Sequence, residues 1–214
     1  MSKIAIFMEM EAWPCLLVGG GLDAYDRAQL LLRAGAVVSC WGATPIRDLV
    51  DLAKVYGERL ALIRGKMSVE MLEHMLSSKR TPRLVVLAEE NFEENKRLFQ
   101  VCEQQQIPAA IAGCSARMDF GHTIERGALH LAVSAEAAPE PAEMLASRID
   151  REVSEDWRQG SLDYASWRNS AEVQSRHPEI LARDCHELAA DLVISEGRFK
   201  AAKLRTERRL EKEI

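Results

Sequence analysis

Short apolar runs alternate with amphipathic segments along the first 135 residues of the chain. Each apolar run has the length of a buried strand, and the segments between the runs repeat apolar residues at helical spacing. Strands that alternate with helices are typical of a mostly parallel sheet covered by helices. The runs that predict strands lie at residues 15–18, 36–41, 59–63, 84–88 and 109–112.

The alternation changes after Gly113. Residues 119–125 and 129–134 are two short strand candidates, and only Arg126, Gly127 and Ala128 separate them. Two apolar runs joined by a three-residue connection that contains glycine are typical of a β-hairpin. We therefore predict a small β region after the parallel sheet.

The last third of the chain shows no convincing strand pattern. Pro139 and Pro141 open a region with two helical stretches, at about residues 140–158 and 178–213, and a polar segment lies between them. Such a pattern predicts a helical domain. The predicted fold class is therefore α/β, with a Rossmann-like parallel sheet, a small β region and a C-terminal helical domain.

A glycine turn follows the first predicted strand. Gly19, Gly20 and Gly21, with Ala24, fit the pattern GxGxxG/A, in which small residues permit a tight turn and a close approach of a pyrophosphate. A helical stripe follows, and Gly35 stands where a C-terminal cap belongs. Strand, turn, helix and second strand together predict a dinucleotide site, in which the helix N–H groups hold the phosphates.

One element of the dinucleotide pattern is missing. An acidic residue is expected about 20 residues after the glycines, where it binds the ribose hydroxyls. This chain has Trp41, Gly42, Ala43 and Thr44 there. Three interpretations stay open: backbone groups or Thr44 bind the ribose, the cofactor is an unusual one, or the turn no longer binds a dinucleotide. The pattern also leaves the choice between NAD and NADP open.

Composition and charge narrow the possible partners. Hydrophobic residues make up 47% of the 214 residues, and the formal net charge is −5, which argues against broad binding to nucleic acids or anionic membranes. No apolar run approaches the roughly 18 residues that cross a bilayer, and no secretory signal precedes the first strand. We expect a cytoplasmic protein without nucleic-acid or membrane partners.

The cysteines predict neither disulfides nor a metal site. No two of them have CxxC or other ligand-like spacing, and buried, reduced thiols are the default expectation for such a pattern. The five lie at Cys15, Cys40, Cys102, Cys114 and Cys185.

Several segments of the first 150 residues together match one known family. These segments are Ile6-Phe7, Cys15 to Gly21, Ala28 with Leu30 to Leu32, Ala34 to Ala36, Ile124 to Gly127, and Leu131 to Ser134. In them the chain resembles the precorrin-2 dehydrogenases that form the N-terminal module of siroheme synthase, and the resemblance extends over about residues 4–150.

This resemblance implies an architecture and a reaction. It implies a Rossmann NAD-binding domain at residues 1–113, a small β-hairpin dimerisation region at 114–145 and a C-terminal helical domain at 146–214, assembled as a homodimer. Family members use NAD to oxidise precorrin-2 to sirohydrochlorin in siroheme biosynthesis. Some members also insert ferrous iron.

The resemblance also implies cofactor contacts. The cofactor-contacting positions of the family fall on the three glycines and on four residues after the first two strands, Leu22, Asp23, Ala43 and Thr44. After the fourth strand, many members have Thr-Asp or Thr-Asn, whereas this chain has Ala88-Glu89-Glu90-Asn91. Ala88 and Glu89 are therefore further candidate cofactor-binding residues, with altered chemistry.

The main departure from the family lies at the end of the fifth strand. Many members end this strand with an aspartate that is a proposed general base, and this chain has Gly113. A hydrogen atom cannot accept a proton, so either another residue acts or the chain is a poor catalyst. Asp119 and His122, which follow closely, are the candidate catalytic residues, although each also suits a surface or hairpin position.

The implied substrate carries many carboxylates, which need cations or N–H donors. Arg117 and Arg126 are the candidate substrate-binding residues, with His122 beside them; the alternative is that these are solvent-exposed charges of the hairpin.

Two other functions stay open. The chain is alternatively a catalytically altered relative that binds a tetrapyrrole as a ferrochelatase, carrier or partner-binding protein, or a sensor that binds nucleotide alone.

Overall fold

A computed structural model describes residues 6–78, 81–113, 118, 120–135 and 139–210. The chain divides into two compact units, Met1–Phe120 and Gly121–Ile214. The division into three domains, with boundaries after residues 113 and 145, is finer than this and stays a prediction.

The first unit contains a five-stranded parallel sheet, as the alternating pattern predicts. Its strand order is β3-β2-β1-β4-β5, and every pairing is parallel. The strands are β1 (Pro14–Val18), β2 (Val37–Gly42), β3 (Leu60–Arg64), β4 (Leu84–Leu87) and β5 (Ala109–Ile111).

Four helices cover the two faces of this sheet. Alternate residues of a strand point to opposite faces, so Leu17 packs on one side and Leu16 and Val18 on the other. The first side is covered by α1 (Leu22–Arg33) and α2 (Arg47–Tyr56), and the second by α3 (Val69–Leu76) and α4 (Phe92–Gln104).

The strand order places a crevice between β1 and β4. The chain runs from β1 outward to β2 and β3, and then returns across the sheet so that β4 pairs with the other side of β1. Loops that follow β1 and β4 therefore leave the sheet in opposite directions. In open parallel sheets, ligands bind outside the carboxyl ends of the strands at such a switch point.

The second unit begins with the predicted hairpin. Strands β6 (His122–Arg126) and β7 (Leu129–Val133) pair antiparallel, with His122 opposite Val133. The turn requires Gly127, whose φ is +62° and whose Cβ position would overlap the carbonyl oxygen of Arg158. The Ser161 hydroxyl accepts a hydrogen bond of 3.0 Å from the Ala128 N–H, so the turn rests on a helix of the same unit.

The remainder of this unit is helical, as predicted, but its helices are shorter and more numerous than two stretches. Ser154 is extended (φ −66°, ψ 168°) and separates the first two helices, and Gly197 (φ +86°) separates the last two. The helices are α5 (Pro139–Glu152), α6 (Glu155–Arg168), α7 (Ala171–Gln174), α8 (Pro178–Ile194) and α9 (Phe199–Leu210).

Helices α6, α8 and α9 enclose a small core that includes a buried carboxylate. Leu188, Leu192 and Ala202 form the apolar centre. Asp191 is buried and accepts a 2.8 Å hydrogen bond from the Thr206 hydroxyl, and it also pairs with arginines of α9. Within the part of the chain that the structure describes, no helix has the length and apolarity to span a bilayer.

Candidate functional site

Three loops meet at the carboxyl edge of the sheet, around the predicted glycine turn. The Gly19 N–H donates to the Trp41 carbonyl oxygen of β2 (2.7 Å), and the Ala88 N–H donates to the Val18 carbonyl oxygen of β1 (2.6 Å). The Ile46 N–H donates to the Gly20 carbonyl oxygen (2.9 Å). The loop after β1 is therefore held between the loops that follow β2 and β4.

Two of the three glycines are needed for this packing. Gly19 has φ +142°, and a Cβ on it would overlap the carbonyl oxygen of Ala88. A Cβ on Gly20 would lie 3.0 Å from the Thr44 carbonyl oxygen. The small residues therefore allow three loops to approach one another within van der Waals distance.

Gly21 faces open space instead. The nearest described atom to its Cβ position is a carboxylate oxygen of Glu90, at 3.9 Å. Gly21 is also the N-cap of α1, with φ −86° and ψ −164°, and no described side chain caps this helix end by a hydrogen bond. The first N–H groups of a helix have no intrahelical partner and carry partial positive charge, so this end of α1 suits an anion such as a phosphate.

The residues predicted after the glycines and after β2 lie around this helix end. Leu22 and Asp23 form the exposed first turn of α1, and Ala43 and Thr44 are exposed in the loop against Gly20. The structure thus brings together the candidate cofactor residues of the first two loops. Described residues 41–46 include no carboxylate, so this loop does not supply the acidic residue that binds the ribose in the usual dinucleotide pattern.

The loop after β4 completes the edge. Ala88 is buried against Gly19, and Glu89 follows it half-buried. The side-chain oxygen of Asn95, in α4, accepts from the Glu89 N–H at 3.2 Å, and its side-chain nitrogen donates to the Glu89 carbonyl oxygen at 2.8 Å. Asn95 is 2% exposed. The backbone of Glu89 is therefore held by a buried amide.

Asn95 is not among the residues predicted from the sequence. Its signal is a polar residue at an apolar position of an amphipathic helix, because Leu98, Val101 and Cys102 share the buried face of α4 with it. A buried amide side chain is costly unless it is hydrogen-bonded, so such a position indicates a specific partner.

The carboxyl group of Glu89 lies in an unfavourable environment for a charge. Burial raises its pKa, the nearby carboxylates of Glu94 and Glu90 raise it further, and Lys66 opposes them. Lys66 itself is ion-paired with Glu94 at 2.5 Å. Glu89 Oε1 is buried and has no hydrogen-bond partner among the described residues.

A cysteine lies on the opposite side of the glycine turn. The Cys40 thiol donates to the Gly19 carbonyl oxygen at 3.4 Å. Burial first, and then the carboxylate of Glu89, raise the pKa of this thiol to about 12. Cys40 is therefore a neutral packing residue of the turn rather than a nucleophile.

Gly113 follows β5 next to this loop. The Ala112 N–H donates to the Leu87 carbonyl oxygen at 2.8 Å, which continues the pairing of β4 with β5. Two residues beyond the last pair, Leu87 with Ile111, the same register pairs Glu89 with Gly113. Gly113 has φ +70°, and no described atom comes within 4 Å of its Cβ position.

The remaining candidates belong to the second unit or fall outside the described residues. Arg117 and Asp119 fall outside the described residues. His122 begins β6 in the second unit, and Arg126, at the other end of β6, is ion-paired with Asp150 at 2.6 Å. The catalytic roles of Asp119 and His122 and the substrate-binding roles of Arg117 and Arg126 stay predictions. Among the described residues, no group of three His, Cys, Asp or Glu could hold a metal ion.

Known proteins are similar to this chain over the region that contains the glycine turn. A family model described as "Putative NAD(P)-binding" matches residues 6–124, which include the glycine turn and all five strands of the sheet. The sequence is 31% identical over 156 residues to siroheme synthase 1 of Yersinia pestis, covering 70% of this chain and 30% of that protein. It is 24% identical over 186 residues to siroheme synthase of Nitrosococcus oceani, covering 86% of this chain and 37% of that protein.

A solved structure has the same fold. SirC, precorrin-2 dehydrogenase, superposes with a TM-score of 0.65 at 20% sequence identity, over 98% of this chain and 100% of that one. The Rossmann-like prediction and the predicted family resemblance are both confirmed. The chain spans about a third of the length of the siroheme synthases that it matches, with 30% and 37% of the two above covered.

Proposed function

Because the chain belongs to this NAD(P)-binding family, we propose that it is an NAD-dependent dehydrogenase that oxidises precorrin-2 to sirohydrochlorin in siroheme biosynthesis. One observation carries the proposal, and it concerns the N-terminus of α1. No described side chain caps this helix end, the space around the Cβ position of its N-cap residue Gly21 is open, and the turn lies between the loops after β2 and β4. The similarity to siroheme synthases supplies the substrate class.

The residues at this edge fit a dinucleotide. The backbone N–H groups of residues 20–24 would hold the pyrophosphate, because they lie at the positive end of α1 and no Cβ at Gly21 blocks them. Ala43 and Thr44 would flank the adenosine side, and Ala88 and Glu89 the nicotinamide side. When bound, the oxidised nicotinamide supplies a hydride acceptor. We propose NAD rather than NADP, as the family resemblance implies.

The substrate would be met by cations and by loops of the sheet edge. A tetrapyrrole with many carboxylates needs charge-assisted hydrogen bonds for orientation. Arg117 and Arg126 are the proposed partners of these carboxylates. Asp119 and His122 are the candidate catalytic residues predicted from the sequence. Arg126 must exchange its ion pair with Asp150 for one with substrate.

A homodimer in the cytoplasm is the proposed assembly and location. The homodimer is supported by an apolar cavity of about 360 Å³ in the second unit, lined mainly by β7, α5 and the start of α6. On the same helix α5, Met144 and Leu145 are 74% and 50% exposed, which is unusual for neighbouring large apolar residues. Light scattering after size-exclusion chromatography tests this assembly: Leu145→Glu should convert a dimer into a monomer, and a monomeric parent protein would contradict it.

The function is tested by anaerobic absorbance spectroscopy on protein mixed with precorrin-2 and either NAD⁺ or NADP⁺. Growth of the reduced nicotinamide band together with the sirohydrochlorin spectrum, lost in Gly21→Asp, is the expected result. Tight sirohydrochlorin binding without turnover would replace the proposal by a ferrochelatase or carrier, and binding of nucleotide alone would indicate a sensor. A preference for NADP⁺ would overturn only the choice of cofactor.

A further inference from the structure

At the edge where the dinucleotide would bind, Glu89 combines a fixed backbone with a carboxyl group whose buried Oε1 has no hydrogen-bond partner among the described residues. We propose that Glu89 is the proton acceptor of the oxidation and that Asn95 is the residue that positions it. This inference rests on the proposed dehydrogenase function and adds the group that takes the proton.

The first support is the hydrogen bonding of Asn95. Both functional atoms of this amide are used on the backbone of one residue, at 3.2 Å to the Glu89 N–H and 2.8 Å to its carbonyl oxygen. A fully buried amide whose two groups serve a single loop residue fixes the position of that residue relative to α4. The loop after β4 is therefore held rigid at Glu89, where a general base needs constant geometry.

The second support is the state of the Glu89 carboxyl group. Lys66, the described cation whose charge lowers the pKa of Glu89, is ion-paired with Glu94 at 2.5 Å. The charged or titratable groups around Glu89 are this lysine, the carboxylates of Glu90 and Glu94, and the neutral thiol of Cys40. Since carboxylates outnumber cations and one carboxyl oxygen has no described partner, the charged form is poorly stabilised. A carboxylate in such surroundings accepts a proton more readily than an exposed one.

The third support is position. Ala88 packs on Gly19 of the cofactor turn, and Glu89 is the next residue. On its other side, β4 pairs with β5, and continuing the register places Gly113, which has no side chain, beside Glu89. Adjacent strands lie about 4.8 Å apart. The backbone of Glu89 therefore lies at the carboxyl edge of the sheet, between the glycine turn after β1 and Gly113, which has no side chain, after β5.

The chemistry requires such a group. Oxidation breaks one C–H bond of the reduced macrocycle, and the hydrogen leaves with both electrons as hydride to the oxidised nicotinamide. A second hydrogen leaves as a proton, and the electron pair of its broken bond forms the new double bond. The Glu89 carboxylate takes that proton, becomes a neutral carboxylic acid, and later releases the proton to solvent.

The test compares Glu89→Gln with the parent protein, and uses Glu93→Gln, an exposed charge-matched change in the first turn of α4, as its control. We expect Glu89→Gln to lower kcat by about 100-fold or more, with KM for precorrin-2 and the calorimetric affinity for NAD⁺ within about twofold. In the parent protein, kcat should rise with pH as Glu89 loses its proton. This rise should be absent from the pH profile of Glu89→Gln.

Two further variants separate catalysis from folding. Glu89→Asp should restore part of kcat, because a carboxylate is present again. Asn95→Ala should lower kcat without changing KM, and should have no added effect in the Glu89→Gln background.

The inference is wrong if Glu89→Gln keeps the parental kcat and pH profile while His122→Gln or Asp119→Asn loses them. A parent protein that does not reduce NAD⁺ with precorrin-2 would overturn the proposed function and this inference together. Parental turnover with an unaffected Glu89→Gln variant would overturn this inference alone.

Discussion

The side-chain amide of Asn95 forms hydrogen bonds with both the N–H and the carbonyl oxygen of Glu89, at 3.2 Å and 2.8 Å. This pair joins the buried face of α4 to the loop after β4. The same loop contacts the glycine turn through Ala88. The interior of the first unit is therefore linked directly to the edge where a dinucleotide would bind.

Asn95→Ala should destabilise the first unit by about 2 kcal/mol. The substitution leaves two backbone groups of Glu89 without their partners and creates a small cavity, and each effect costs free energy. Urea unfolding followed by circular dichroism measures the change. Gln100→Ala, which removes an exposed amide from the same helix, should change the free energy of unfolding by less than about 0.5 kcal/mol. Equal effects of the two substitutions would contradict the importance of the buried hydrogen bonds.

Gly21→Asp should abolish dinucleotide binding while preserving the fold. Gly21 already has the extended backbone of an N-cap residue, a position at which Asp is favoured, so helix α1 should be at least as stable in the variant. The carboxylate introduced by Gly21→Asp would compete with a phosphate for the helix N–H groups and would repel that phosphate. Isothermal titration calorimetry should show at least a 100-fold loss of NAD⁺ affinity. Gly21→Ala, which adds a methyl group without charge, is the control for bulk alone.

Glu89→Gln should stabilise the protein at alkaline pH relative to the parent. The pKa of Glu89 is raised in the folded protein by burial and by neighbouring carboxylates, so its ionised form is less favourable there than in the unfolded chain. The protonated carboxyl group therefore favours the folded state. Its full contribution to the free energy of unfolding is present below the pKa that Glu89 has in the unfolded chain, and it is lost as the pH rises through the higher pKa of the folded protein. The difference in Tm between variant and parent should therefore be larger at pH 8 than at pH 4, as measured by scanning calorimetry. A difference that does not change with pH, or one matched by Glu93→Gln, would contradict the raised pKa.

Gly160→Ala should destabilise the second unit by about 3 kcal/mol. A Cβ on Gly160, in α6, would overlap the carbonyl oxygen of Gly197, in the turn between α8 and α9, and both are backbone positions that cannot rotate away. Trp157 and Trp167 pack on the small core, so tryptophan fluorescence reports the unfolding of this unit when Trp13 and Trp41 of the first unit are replaced by phenylalanine in parent and variant alike. Gly21→Ala, in the first unit, is the matched glycine-to-alanine control and should leave this transition unchanged. Parental stability in Gly160→Ala would show that the two segments can separate at little cost.

Local patterns allowed much of the architecture to be predicted. The five strands of the sheet and the hairpin were recognisable because each is a short apolar run bounded by turn residues, and Gly19 to Gly21 because the turn lies within one strand–helix connection. The separation of α5 from α6 at Ser154 was missed, since the polar and apolar pattern continues across it. Helix ends depend on single capping residues, which periodicity does not detect.

The sequence by itself determined which segments form the parallel strands, where the glycine turn lies and that this turn suits a phosphate. These features follow from contacts between residues close together in the chain. Tertiary structure alone decided that Glu89 is held by Asn95 from inside α4, with Lys66 occupied by Glu94, and that Glu89 follows the residue packed on Gly19. Such relationships join residues whose separation along the chain carries no periodic signal, and they form only when the apolar faces of the sheet and helices are buried together.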